Sequence, residues 1–178
     1  QQIMSSRSFG VPVESIEELQ EAVACYTTRA AGKLRQQQSF SAAVHVFLQI
    51  NRFKDDEPQY HPAITVPLLE ATDDTLALIS AATSGLRRIF RTGFHYKKVG
   101  VMLTLLSNKT ARQGTLFDDP TAREKSAKLM AVMDAINQEF GRDTLHYAAE
   151  GVAKRWAMRA EMRSPRYTTQ WDELPVVS

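Results

Sequence analysis

Ser41-Ala42-Ala43-Val44-His45-Val46-Phe47-Leu48-Gln49-Ile50-Asn51 sets Val44, Val46, Leu48 and Ile50 against Ala43, His45, Phe47 and Gln49. Successive side chains of a strand point to opposite faces, so this alternation predicts a strand with one apolar, core-facing side. Upstream, Ser15-Ile16-Glu17-Glu18 forms a capping box, in which the serine hydroxyl accepts an amide hydrogen and Glu18 reaches back. Ile16, Leu19, Val23, Tyr26, Ala30 and Leu34 then recur at three and four, predicting an amphipathic helix to about Gln37. Ahead of it Ile3 to Phe9 alternates as a first strand, broken by Gly10-Val11-Pro12.

Downstream, residues 51–62 read as a polar loop around Asp55-Asp56-Glu57-Pro58, and Ala63 to Ala71 as a third strand. Pro67 lacks an amide hydrogen for a ladder, which demotes that strand to an edge or a bulge. A second helix starts at Asp73 or Asp74 and runs through Leu76, Ile79, Ala82, Leu86 and Phe90 to Gly93. Lys97 to Ser107, with Val99, Val101, Leu103 and Leu105 in alternation, is the fourth strand. The order β-α-β-β-α-β predicts an α+β fold: a ferredoxin-like four-stranded sheet with both helices on one face and the other face open.

Residues 108–119 read as a linker. Thr121-Ala122-Arg123-Glu124 is a second capping box, opening a helix that carries Leu129, Met130, Met133 and Ile136 and ends at Gly141. Thr144 to Ala148 is expected as a short strand and Val152 to Met162 as a short helix holding Trp156. Ser164-Pro165 begins an extended tail. Residues 120–178 thus form a small, mainly helical appendage.

At 43% hydrophobic and 24% charged residues, the chain falls in the globular class rather than the disordered or membrane classes. No apolar run approaches a membrane span and the start Gln1-Gln2-Ile3-Met4 is polar, which points to the cytoplasm. The single Cys25 rules out an internal disulfide and sits on an apolar helix face as a core thiol. A net charge of +2 is too small to argue nucleic-acid binding from totals, so local clustering must carry it.

Catalytic signatures are missing. Two-metal nucleotidyl transfer needs carboxylates converging on two cations, whereas Asp55-Asp56-Glu57 lies in a loop, Asp73-Asp74 at a helix start and Asp118-Asp119 before Pro120. His45, His61, His95 and His146 have no ligand-pair spacing, and no phosphate-binding or nucleophile-elbow motif occurs. The segment alone is read as non-catalytic, with no cofactor and no metal.

The cations and hydroxyls are better grouped. Ser5-Ser6-Arg7-Ser8 places three hydroxyls and a guanidinium on the first strand, groups that contact phosphate oxygens. Lys97-Lys98 opens the fourth strand, which is expected among the outer strands. Arg87, Arg88 and Arg91 end the second helix, and Arg29, Lys33 and Arg35 lie late in the first. Each cluster alone reads equally as a solvated surface or a complement to a helix end.

Together these residues resemble a family. Ser6-Arg7-Ser8-Phe9-Gly10 resembles the opening of the little finger domain of Y-family translesion DNA polymerases. Tyr96-Lys97-Lys98-Val99-Gly100-Val101 resembles that domain's basic last strand. Thr115-Leu116-Phe117-Asp118-Asp119, Leu129-Met130-Ala131-Val132-Met133-Asp134 and Ser164-Pro165-Arg166-Tyr167-Thr168-Thr169 are similar to the tail of the UmuC branch, the catalytic subunit of DNA polymerase V. The resemblance covers essentially the whole chain. It implies a little finger over residues 1–109, a linker with a clamp-binding peptide over 110–119, and a UmuC-type C-terminal domain over 120–178.

That domain would grip both strands of a primer-template duplex by their phosphates without reading bases, as part of an error-prone, SOS-type DNA-damage bypass polymerase. Ser6, Arg7, Ser8, Lys97 and Lys98 would make the contacts, with Arg29 and Arg35 as further cations, beside small and polar open-face residues such as Ala43, His45 and Thr104. Gln113-Gly114-Thr115-Leu116-Phe117 resembles the sliding-clamp peptide, Gln113 hydrogen-bonding the clamp while Leu116 and Phe117 fill an apolar pocket. DNA-directed polymerisation and its Mg²⁺ would belong to a palm domain elsewhere in the parent protein. Residues 120–178, with Met130, Met133, Met158, Met162, Trp156 and Trp171, would meet the accessory dimer or the recombinase filament, and no membrane. The rivals are an RNA-recognition module, whose aromatic consensus segment does not occur here, and a scaffolding or small-molecule-sensing α+β domain.

Overall fold

The protein is described here from a computed structural model, which covers residues 1–53, 58–109 and 120–158, without the side chains at 120 and 122. The elements follow the expected order: β1 (Ile3–Val13), α1 (Ile16–Gln36), β2 (Ser39–Ile50), β3 (Ala63–Thr72), α2 (Thr75–Ile89), β4 (Tyr96–Asn108) and α3 (Pro120–Glu139). A 3₁₀ turn, Ala148–Glu150, comes after them.

The sheet is antiparallel in the order β1-β4-β2-β3. β4 therefore lies inside the sheet, correcting its expected place among the outer strands, and the edges are β1 and β3. Two interlocked crossovers cause this: α1 carries the chain from β1 over β4 to β2, and α2 carries it from β3 over β2 to β4. Pro67 sits on the edge strand, beside the register shift between Ser41 and Ala43, where a missing amide hydrogen is tolerated.

Local chemistry explains the helix ends. Ser15 Oγ accepts from the Glu18 amide at 3.2 Å, opening α1, and Asp74 Oδ1 accepts from the Ala77 amide at 3.0 Å, opening α2. Lys33 and Arg35 close the first helix and Arg87 and Arg88 the second, complementing the dipoles. Tyr96 Oη accepts from the Arg91 amide and donates to the Arg91 carbonyl, fixing the exit of α2 against the start of β4. Both helices pack on one face, where Leu19, Val23, Tyr26, Leu34, Leu78 and Leu86 meet Val44, Val46, Leu48, Val99, Val101 and Leu103 in a continuous core.

The C-terminal segment lies on the helical side. Arg35 grips Asp134 of α3 through two bonds, Nε to Oδ2 at 2.6 Å and Nη2 to Oδ1 at 2.7 Å, while its Nη1 donates to the Asp73 carbonyl and Thr75 Oγ1. Ser126 bonds to Asp74, and Lys109 pairs with Asp73. Further along, Trp156 meets Phe9 and Tyr26 edge-on, at 6.2 and 5.7 Å between centroids, and its Nε1 donates to Glu21 Oε2 at 3.3 Å. Buried Glu150 accepts from Thr28 Oγ1 at 2.9 Å. Gly151, at φ +67°, has the Glu21 carboxylate where a Cβ would stand, so both the backbone and the space demand glycine.

Two expectations for this segment are corrected. Residues 144–148 form no strand but a bend and irregular backbone leading into the 3₁₀ turn, because Asn137 on α3 captures Leu145 through both its amide and its carbonyl. Residues 152–158 are bends and turns rather than a helix, because Trp156 is drawn onto α1 and β1. Arg35→Met is expected to destabilise the chain by about 2 kcal/mol in urea unfolding, the scale of losing charged hydrogen bonds to a half-exposed carboxylate. A loss no larger than that of Asp134→Asn would show that the bonds to Asp73 and Thr75 contribute nothing.

Candidate nucleic-acid interface

The pleat divides the strand residues into two sets. Val99, Val101 and Leu103 face the helices, whereas their neighbours in sequence rise from the open face in rows running across the sheet. One row is Ser8, Lys98, Gln49; the next is Ser6, Gly100, Phe47, Ala63; the next is Met4, Met102, His45, Thr65; then come Thr104, Ala43 and Pro67. No aspartate or glutamate occurs in β1, β2 or β4, and the strands' one acid, Glu70, lies near the end of edge strand β3. Most of these residues are half-exposed, and among the described residues no element covers them.

Ser6, Ser8 and Lys98 are thus brought together. Lys97 joins them through a bulge: Ile50 pairs with Tyr96 and Gln49 with Lys98, leaving Lys97 as the extra residue. The bulge lets both Tyr96 and Val99 enter the core, so both lysines stay outside it.

The other expected contacts are elsewhere. Arg7 pairs with Val99 and so belongs to the helix-facing set, at the sheet edge near Tyr26, whose phenol feels its charge. A strand cannot aim Ser6, Arg7 and Ser8 at one surface, and this corrects their grouping. Arg29, on α1, pairs with Asp143 at 3.6 Å, and Arg35 is occupied by Asp134, Asp73 and Thr75; both lie on the helical side, away from the open face. Arg91 stacks on Tyr60, 4.6 Å from the ring centroid. Gln113, Leu116 and Phe117 lie outside the described residues.

Phe47 was not anticipated as a site residue. Its ring lies across Gly100, occupying the space a Cβ there would need, with Lys98 Nζ 5.9 Å from its centroid and the His45 ring 6.3 Å away. His45 Nδ1 is held by Thr65 Oγ1 at 2.9 Å. The available signal was that Phe47 shares a strand face with His45 and Gln49 rather than with the core residues.

Among the described residues, no group of three or more His, Cys, Asp or Glu side chains comes together to hold a metal ion, and no helix is long and apolar enough to cross a membrane.

Comparison with known proteins gives two family matches: residues 1–116 match the impB/mucB/samB family C-terminal domain, and residues 127–177 match a domain of unknown function, DUF4113. Protein UmuC of Salmonella typhimurium is 42% identical over 174 residues, 98% of this chain and 41% of that protein. Protein MucB of Escherichia coli is 40% identical over 178 residues, 100% of this chain and 42% of its own length. Among solved structures, the little finger domain of PolIV in its complex with the β-clamp processivity factor is 21% identical, with a TM-score of 0.40 over 66% of this chain and 100% of that one. The chain therefore spans about two fifths of the length of these curated relatives, 41% and 42%.

Proposed function

Because this chain belongs to the impB/mucB/samB family, whose C-terminal domain matches residues 1–116, we propose that it is the DNA-gripping, clamp-tethered end of a cytoplasmic translesion polymerase. Residues 1–109 are the little finger, 110–119 the linker with the clamp peptide, and 120–178 a UmuC-type domain that meets the accessory dimer or the recombinase filament. Templated nucleotidyl transfer and the Mg²⁺ it uses belong to a palm domain of the parent protein. The observation that carries the reading is the open sheet face: Ser6, Ser8, Lys97 and Lys98 stand over strands β1, β2 and β4, which hold no carboxylate.

Lysine and hydroxyl groups on such a face neutralise and bind phosphate oxygens at any sequence, so binding should depend steeply on salt and little on base order. Fluorescence anisotropy with a primer-template duplex at several salt concentrations tests this. Lys98→Ala should weaken binding uniformly across sequences and flatten the log K against log salt slope by about 1. Arg29→Ala, on the helical side, should leave both unchanged. Affinity indifferent to salt, or strong preference for one sequence, would sink the proposal.

The clamp contact rests on the peptide Gln113-Gly114-Thr115-Leu116-Phe117. Two apolar anchors in a pocket dominate such an interface, so replacing both Leu116 and Phe117 with Ala should abolish co-purification with a sliding clamp while the melting temperature holds. Undiminished capture by the double variant would refute the contact.

A further inference from the structure

Phe47 stands where no core requirement puts it. Its strand neighbours Val46 and Leu48 are buried beneath the helices, while Phe47 rises from the opposite face, half-exposed, in the middle of the sheet. Gly100 is what allows the ring to lie down: atoms Cε1 and Cζ fill the volume of the missing Cβ, with Ser6 on the other side. The ring stays half-exposed, and Lys98 Nζ stands over it, 5.9 Å from the centroid. The His45 ring extends the surface, tilted by 38° and tethered by Thr65.

We propose that Phe47, flanked by His45, is a stacking platform for an unpaired base of single-stranded DNA, whose backbone is held by Lys98, Ser6 and Ser8. The inference deepens the reading of the open face as a nucleic-acid surface and rests on it. Charge complementarity selects the occupant. The row beside Phe47, about 7 Å along the strands, carries Lys98 and Ser8, and β1, β2 and β4 bring no carboxylate, which suits a polyanion rather than an apolar peptide. A base pair inside a duplex has both faces covered by its neighbours, so away from duplex ends the ring can stack only on a base that is unpaired. Such stacking tolerates any sequence because every base offers a π face.

The test uses the full chain, a fluorescent oligothymidine and a duplex of equal length closed by a hairpin loop at each end. Phe47→Leu keeps the apolar volume and removes the π face; it should weaken single-strand binding roughly tenfold and change duplex binding by less than about twofold. Phe47→Trp should retain single-strand binding, and the emission it adds to the wild-type spectrum should be quenched by oligothymidine but not by the duplex. Gly100→Ala, which pushes the ring off the sheet, should reproduce the loss seen with Phe47→Leu. If Phe47→Leu affects both nucleic acids equally, or the added tryptophan emission ignores oligothymidine, the platform is wrong. If the wild-type chain binds duplex but not oligothymidine, the platform alone falls; if it binds neither, the nucleic-acid reading falls with it.

Discussion

Trp156→Ala should lower the melting temperature by roughly 10 °C, since emptying a buried tryptophan site costs about 3–5 kcal/mol and each kcal/mol moves a chain of this size by about 2–4 °C. Trp156 is only 5% exposed although it lies far in sequence from the sheet, and it completes a cluster with Phe9 of β1 and Tyr26 of α1. Its removal strips those two rings of their edge-on partner and leaves Glu21 without the indole N–H. Val152→Ala, four residues earlier but 91% exposed, is the control and should melt with the wild type. Calorimetry on both variants decides the matter: should Trp156→Ala melt within about 1 °C of wild type, residues 140–158 are not part of the folded core.

The βαββαβ body was legible because each element announces itself locally, through period two at Val44 to Ile50, period three-to-four at Ile16 to Leu34, and caps at Ser15 and at Asp73 or Asp74. Strand order was not, because it depends on which long-range pairing wins, and nothing local tells β4 to pair between β1 and β2. Trp156 likewise carries no local sign of where it docks. A lone tryptophan in a stretch with some helical spacing reads as a helix face, and the cluster with Phe9 and Tyr26 outweighs that weak propensity.

The candidate site divides in the same way. Lys97, Lys98, Ser6 and Ser8 could be named from type and resemblance, and Ser6, Ser8 and Lys98 converge. Arg7 could have been kept off the open face by the pleat alone, since strict alternation sends it opposite to Ser6 and Ser8. Arg35 could not have been, because its partner Asp134 is 99 residues away in sequence. Phe47 over Gly100 needed the β2-β4 register, which only the folded sheet supplies.

Alkaline pH should unfold the chain through the same aromatic cluster. Tyr26 has its phenol pushed up from 10.0 to about 12, first by burial and then by Cys25, with Arg29 and Arg7 pulling the other way. The folded state thus holds this proton more tightly than the unfolded chain does. The corresponding stability is fully present below about pH 10 and is lost as pH rises through about 12, a swing of about 3 kcal/mol. Burial also raises Tyr96 and Tyr147, so they act in the same direction. Urea unfolding at about pH 8 and about pH 12 should show the loss, and Tyr26→Phe, with no proton to lose, should show clearly less of it; an equally steep loss in that variant would remove Tyr26 as the cause. Trp156→Ala adds an independent check. Opening the cluster to water lowers the desolvation that raises the phenol, so tyrosinate absorbance should begin at lower pH in that variant. Lowered stability at neutral pH and an earlier phenol titration would then have one physical origin, the Trp156 edge that keeps water from Tyr26.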